Sequence, residues 1–249
     1  MSRIASWPTD WICPDWPVAA NVRACVTTAS FGNSQGDFAH FNLGDHVGDE
    51  LASVQRNRAW LAQTLACTPV WLEQVHGVEV VEAKVGQLLQ ADASLTREPG
   101  IACTIMTADC LPVLFAAQDG SCVAAAHAGW RSLVAGVLEN TIAAMQIPAQ
   151  HITAWLGPAI GPQVYEVGPE VREAFLAQHQ QAEQAFIPSK RIGHWMADLY
   201  QLARIRLTES GVTDVYGGGF CTLTDKRFYS FRRQPATGRF ASLIWLEQP

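Results

Sequence analysis

Three nearly unbroken apolar runs, Ile101–Met106, Leu111–Ala117 and Cys122–Ala126, follow one another in the middle of the chain, parted only by short polar breaks. Runs of this length bounded by turn residues read as strands. Asp119–Gly120, between the second and third, marks a hairpin turn. Further strands are expected at Arg23–Thr28, Val70–Gln74, Val78–Glu82, Ile152–Leu156, Phe228–Arg232 and Ala241–Leu246. Between them lie helical periodicities. Asp49 stands where it could cap a helix that carries Leu51, Val54, Arg58, Leu61 and Leu65 on one stripe. A second helix follows Gly129, with Leu133, Val134, Val137, Leu138 and Met145 on its apolar side. Two more are expected at Pro169–Gln181 and Trp195–Ser210. The mixture predicts an α/β fold with mixed β-sheets layered with helices.

Composition narrows the class. The chain has 249 residues, 49% hydrophobic and 16% charged, so a large core is available and disorder is excluded. No repeat and no Gly/Ser/Pro-rich linker divides it, which predicts a single domain over residues 1–249. The net charge is −6 and no Lys/Arg run exists, so a nucleic-acid partner is not expected. An anionic substrate would have to be met by a few placed arginines. The seven cysteines are an odd number without C-x-x-C spacing, which points to a reducing, cytoplasmic setting rather than a disulfide scaffold. Met1–Val22 contains Asp10 and Asp15 and no apolar h-region. No stretch approaches the roughly 18 apolar residues of a membrane span. There is no G-x-G-x-x-G, P-loop or G-x-S-x-G.

Three residues stand out chemically. His76, in Gln74-Val75-His76-Gly77, sits at a break between strands. Cys110, in Thr107-Ala108-Asp109-Cys110, interrupts the core pattern beside a carboxylate that needs a partner. His127 ends an alanine run and is followed by Ala128-Gly129-Trp130-Arg131, at a strand-to-helix junction. One thiol and two imidazoles suit Zn²⁺, and three protein ligands would leave a catalytic fourth position open. The same triplet also suits a cysteine nucleophile with a histidine base. Cys25, Cys103 and Cys122 read as inert core thiols. Arg58 interrupts an apolar helical stripe, where a guanidinium must find a partner or a ligand anion. Arg232, Arg233 and Arg239 cluster late in the chain and read as a basic edge strand or the lining of a polar pocket. Asn42 reads as a turn former that could touch substrate.

Taken in order, Phe41-Asn42-Leu43-Gly44-Asp45-His46-Val47-Gly48-Asp49, Gln74-Val75-His76-Gly77, Thr107-Ala108-Asp109-Cys110, His127-Ala128-Gly129-Trp130-Arg131, Gly157-Pro158-Ala159-Ile160-Gly161 and Phe228-Tyr229-Ser230-Phe231-Arg232-Arg233 resemble the motifs of the bacterial YfiH-like family. Its members are also called laccase-domain or polyphenol-oxidase proteins, and the resemblance runs from Arg23 to Trp245. It implies a fold distantly like that of a cytotoxic deamidase toxin, and zinc held by His76, Cys110 and His127. It implies phosphorolysis of adenosine, inosine, guanosine and methylthioadenosine, with deamination of adenosine. Substrate contacts would then fall to Arg58, Arg131, Asn42, Asp109 and Arg232, with Phe41, Trp130 or Phe231 as an aromatic wall. The partners implied are a purine nucleoside and phosphate, with a homodimer as the assembly. Two alternatives accompany this reading. One is a Cys–His hydrolase editing cytoplasmic peptidoglycan precursors. The weaker one is a copper-dependent polyphenol oxidase, with Cu²⁺ at the same ligands; no H-x-H pairing exists for a multicopper centre.

Overall fold

The central apolar runs carry no polar alternation because both of their faces are covered. In the computed structural model, which describes residues 7–248, the chain begins with strand β1 (Val22–Val26) and helix α1 (Leu51–Leu65). Strands β2 (Thr68–Val70), β3 (Leu72–Glu73), β4 (Val80–Glu82), β5 (Leu89–Gln90) and β6 (Ala93–Thr96) come next. The three runs are β7 (Ile101–Thr107), β8 (Leu111–Ala117) and β9 (Val123–Ala128). Then come α2 (Trp130–Ala135), α3 (Val137–Met145), β10 (Ile152–Leu156), β11 (Glu166–Val167), α4 (Pro169–Leu176) and β12 (Phe186–Pro188). The chain ends with β13 (Trp195–Ala197), α5 (Leu199–Glu209), β14 (Asp214–Gly217) and β15 (Phe240–Leu246).

Two mixed sheets dominate, with strand orders β1-β15-β7-β2 and β14-β10-β8-β9-β6-β4. They pack face to face. Cys103 and Ile105 of β7 and Ile244 of β15 meet Leu114, Ala116, Val123 and Ala125 across the seam. The alternate residues face outward. Ala102, Met106 and Leu243 pack under Leu61 and Leu65 of α1. Val113, Phe115, Ala124 and Ala126 pack under Leu133, Leu138, Met145 and Leu202 of α2, α3 and α5. The result is a four-layer α–β–β–α domain. No helix among the described residues is long and apolar enough to cross a membrane.

β7 and β8 are consecutive but belong to different sheets, so Ala108–Cys110 is the link that crosses the seam. β8 and β9 form the expected hairpin around Asp119–Gly120, where Gly120 has φ +72°.

Several expected elements differ. The helix after Gly129 is two helices, because Gly136 at φ +104° closes α2 by donating its N–H to the carbonyls of Ser132 and Leu133. The helix expected to reach Gln181 stops at Leu176, and Gln180–Ala185 is a separate 3₁₀ turn. Trp195–Ala197 is a strand rather than a first helical turn, since it pairs with both β11 and β12. The expected strand Val70–Gln74 is split between β2 and β3, and that at Val78–Glu82 starts at Val80. Phe228–Arg232 is not a strand. The Arg233 guanidinium gathers the carbonyls of Thr222, Leu223 and Phe228, which folds the segment into turns. Asp49 does not cap α1, whose N-cap residue is Glu50. The Asp49 carboxylate instead accepts from Asn42 Nδ2 at 2.9 Å and from the Glu50 N–H at 2.7 Å.

Candidate metal centre and cavity

The seam between the two sheets opens at one end, and His76, Cys110 and His127 meet there. His76 comes from the loop between β3 and β4, at φ +60°, a region that non-glycine residues enter only when held. Buried Asp92 holds it. Its Oδ1 accepts from His76 N–H at 3.0 Å, and its Oδ2 accepts from the N–H groups of Val75 (3.1 Å) and Gly77 (2.6 Å). The loop is also tied to β7, since Gln74 Nε2 donates to Met106 O and Gln74 Oε1 accepts from Met106 N–H, at 2.9 and 2.8 Å. His127 lies near the end of β9, and its Nδ1–H donates to Asp92 Oδ1 at 2.8 Å, which leaves Nε2 for a ligand. Cys110 follows Asp109, a residue at φ +96°. Asp109 is fixed there by Thr222 Oγ1 donating at 2.6 Å and Arg232 N–H donating at 2.7 Å.

The ligating atoms of the three residues all lie within 4.8 Å of one another, with Cys110 Sγ 3.8 Å from His76 Nε2. Tetrahedral zinc with bonds of about 2.0–2.3 Å would place its donors roughly 3.3–3.7 Å apart, so a small closure suffices. Gly129 keeps the space clear. A Cβ there would stand 2.9 Å from His76 Cδ2 and 3.1 Å from Cys110 Sγ. The donor set, one sulfur and two imidazole nitrogens with a buried carboxylate behind, fits a zinc ion.

Without a cation the site holds charge of its own. Burial pushes the Cys110 thiol up, but His127 and His76 overcome this and bring it down to about 6. Burial pushes His127 down, but the Cys110 thiolate and Asp92 raise it to about 9. Burial raises Asp92, yet His127 and the N–H groups of Gly77 and Val75 hold it below the usual carboxylate range. Each group thus favours the charged form of the other, a thiolate beside an imidazolium.

These ligands form the floor of a cavity of about 390 Å³, the size of a small-ligand site. Asp109, Arg131 and Arg232 line it with Trp130 and Phe231. The Arg131 guanidinium lies 4.3 Å over the Trp130 ring, and Arg232 lies 5.3 Å from the Tyr165 ring. Three expected contacts lie elsewhere. Arg58 Nε donates to Leu43 O (2.9 Å), Nη1 pairs with Asp45 (3.1 Å), and the guanidinium covers Trp71 at 4.1 Å, behind the wall. Asn42 is fully buried, its amide holding Gly44, Asp49 and Arg239 N–H. Phe41 is a core residue against Trp11 and Trp60, not an aromatic wall.

Sequence reasoning missed Asp92, Gln74, Thr107 and Tyr165, and gave Arg239 only as an edge or pocket residue. A signal existed for Asp92: it is a lone carboxylate between Ala91 and Ala93, and a buried carboxylate needs partners. Tyr165 offered none.

A family model described as multi-copper polyphenol oxidoreductase laccase matches residues 23–247. A Pseudomonas aeruginosa protein named purine nucleoside phosphorylase is 59% identical over 238 residues, covering 95% of this chain and 98% of that one. An Escherichia coli protein named purine nucleoside phosphorylase YfiH is 49% identical over 240 residues, covering 94% and 98%. Among solved structures, a Neisseria meningitidis protein superposes with a TM-score of 0.94 at 47% identity, covering 96% of this chain and all (100%) of that one. A Bacillus licheniformis protein named YfiH gives 0.85 at 28% identity, covering 91% and 93%.

Proposed function

The chain belongs to the multi-copper polyphenol oxidoreductase laccase family, and from that premise we propose that it is a zinc-dependent purine nucleoside phosphorylase that also deaminates adenosine. The observation that carries the reading is the meeting of His76, Cys110 and His127 on the floor of an arginine-lined cavity. The names of its relatives in Pseudomonas aeruginosa and Escherichia coli supply the substrate class. Adenosine, inosine, guanosine and methylthioadenosine are the proposed substrates.

Phosphorolysis breaks the bond between C1′ of the sugar and N9 of the purine. The electron pair leaves with the base, which takes up a proton, while a phosphate oxygen forms the new bond to C1′. A zinc ion on the three ligands would supply a Lewis acid with one position open to the cavity. Asp92 fixes the His127 tautomer and the His76 loop. Trp130 and Phe231 offer faces for the purine, and Arg131 and Arg232 offset the charge of phosphate. Deamination, in which water replaces the 6-amino group and ammonia leaves, would use the same floor.

Purified protein incubated with inosine and phosphate should form ribose 1-phosphate, and chelation or Cys110→Ala should abolish this. Turnover that survives both would overturn the reading.

Copper(II) would bind the same three donors more tightly than zinc in the usual order. Among the described residues, however, this is the one cluster of three or more such donors, too few for a blue-copper centre together with a three-copper cluster. A second reading has its own observation. Cys110, His127 and Asp92 also form a thiolate, base and orienting carboxylate, as a cysteine hydrolase acting on peptidoglycan precursors would require. It requires a covalent substrate adduct on Cys110, visible by mass in metal-free protein.

A further inference from the structure

Arg239 stands at the entry to β15 and lines the cavity. Its backbone is held from both sides by the Asn42 loop: its N–H donates to Asn42 Oδ1 at 2.8 Å, and its carbonyl accepts from Leu43 N–H at 3.0 Å. Nη1 donates to the carbonyls of Thr237 and Gly238, each at 3.0 Å, which uses both of its hydrogens. Among the described residues, the Nε–H and the Nη2 hydrogens have no acceptor. Among those residues Arg239 also has no carboxylate partner, in contrast to Arg58 on the neighbouring α1, which pairs with Asp45.

This guanidinium is also set apart from the other two in the cavity. Arg131 and Arg232 are exposed, whereas Arg239 is half-buried. Burial pushes its pKa down, with Cys110 and Asp109 as the negative groups that resist. Neither is bonded to it: the Asp109 carboxylate accepts from Thr222 and the Arg232 N–H, and a cation on Cys110 would claim the thiolate. A half-buried cation with three unused donors on the cavity lining calls for an anion rich in acceptors.

We propose that Arg239 anchors the phosphate nucleophile, through the edge of its guanidinium formed by Nε–H and Nη2–H. That edge presents two parallel donors to two oxygens of a tetrahedral oxyanion. Arg131 and Arg232, stacked on Trp130 and Tyr165, cover the anion from the mouth. Asn42 is a positioning residue that acts through the Arg239 backbone. The assignment rests on the phosphorylase reading and gives its anion a place.

The test compares zinc-loaded wild type with Arg239→Gln, Arg239→Lys, Arg131→Gln and Arg232→Gln. A lost charge-assisted pair of bonds should raise the phosphate KM of Arg239→Gln by about 10–100-fold, with the inosine KM and zinc content unchanged. Arg239→Lys keeps the charge without the fork and should recover only part of the loss, while the two rim variants should show smaller rises. An unchanged phosphate KM in Arg239→Gln would overturn the assignment and leave the phosphorylase reading intact. Calorimetry with inorganic phosphate alone separates the two in the other direction. Wild type that binds phosphate, and loses it in Arg239→Gln, supports the anchor even if no inosine is cleaved. Binding that is absent from wild type or equal in both proteins overturns it. Inosine monophosphate is the last arm: if it displaces phosphate and binds more tightly through Arg239, the site takes a substrate phosphoryl group, and the assignment to the nucleophile falls.

Discussion

Asp92 serves both halves of the candidate metal site with one carboxylate, accepting from His127 Nδ1–H and from the three consecutive N–H groups of Val75, His76 and Gly77. Asp92→Asn keeps the shape but replaces an acceptor oxygen by a donor. Zinc affinity should fall by about 10–100-fold, measured by competition with a chromogenic chelator. Gly129 acts by having no side chain. Gly129→Ala would set a methyl group 2.9 Å from His76 Cδ2 and 3.1 Å from Cys110 Sγ, so its zinc content should drop while its circular dichroism stays that of wild type. The pH dependence of the metal-free site has a definite sign. The Cys110 pKa is lowered from 9.0 to about 6, so the thiolate is present above that value and is lost as pH falls through it. Alkylation of Cys110 by iodoacetamide, followed by site-resolved mass spectrometry, should show a midpoint near 6, with Cys25 and Cys103 unlabelled and zinc protective. A midpoint near 9 would mean that the imidazoles do not hold the thiolate. The three residues of the cluster stood out in the sequence because each sits where an apolar run ends or breaks. Asn42 and Arg58 break patterns too, but for support: one ties the Arg239 backbone, the other stacks on Trp71. Residue type alone does not separate those two uses.

Elements were most legible where local preference and tertiary environment agree. β7, β8, β9, β10 and β15 fall within a residue or two of their expected bounds, because apolar runs of strand length have few other solutions in a layered core. The misses lie where pairing overrides periodicity. Trp195–Ala197 continues the helical spacing of Leu199–Leu207, yet its backbone is taken by β11 and β12. The helix starts only at Leu199, behind Asp198, whose Oδ1 accepts from Gln201 N–H at 3.0 Å. That cap lies next to a residue of the cavity wall, Leu199. Asp198→Ala should therefore lower unfolding free energy by about 1 kcal/mol in urea titration, as lost N-caps do, and should leave zinc stoichiometry intact. A zinc deficit in that variant would mean that α5 helps to shape the metal site, which the hydrogen bonds of its ligands do not suggest.

At the scale of the whole molecule, the site is a product of the seam between two sheets. The sequence shows strands in order but not which sheet each joins, and consecutive strands pair or neighbour in most folds. Here β7 and β8 part company, and the residues that cross between their sheets, Ala108–Cys110, deliver the thiol to the place where β9 delivers His127 and the β3–β4 loop delivers His76. A cation on these three side chains would tie together segments far apart in the chain and absent as a unit from the unfolded state, so binding and folding are linked. With free zinc at about 100 times its Kd, the linkage contributes about 2.7 kcal/mol. For a domain of roughly 150–250 residues that corresponds to about 5–10 °C in Tm. Calorimetric melting of the zinc-loaded protein with and without chelator should show a drop of that order. Cys110→Ala should melt at one temperature under both conditions, and so separates loss of the bound ion from any direct action of the chelator. A wild-type Tm that ignores the chelator, in protein shown to have lost its zinc, would mean that the seam is held by its apolar contacts alone and that the three ligands converge without contributing to the fold.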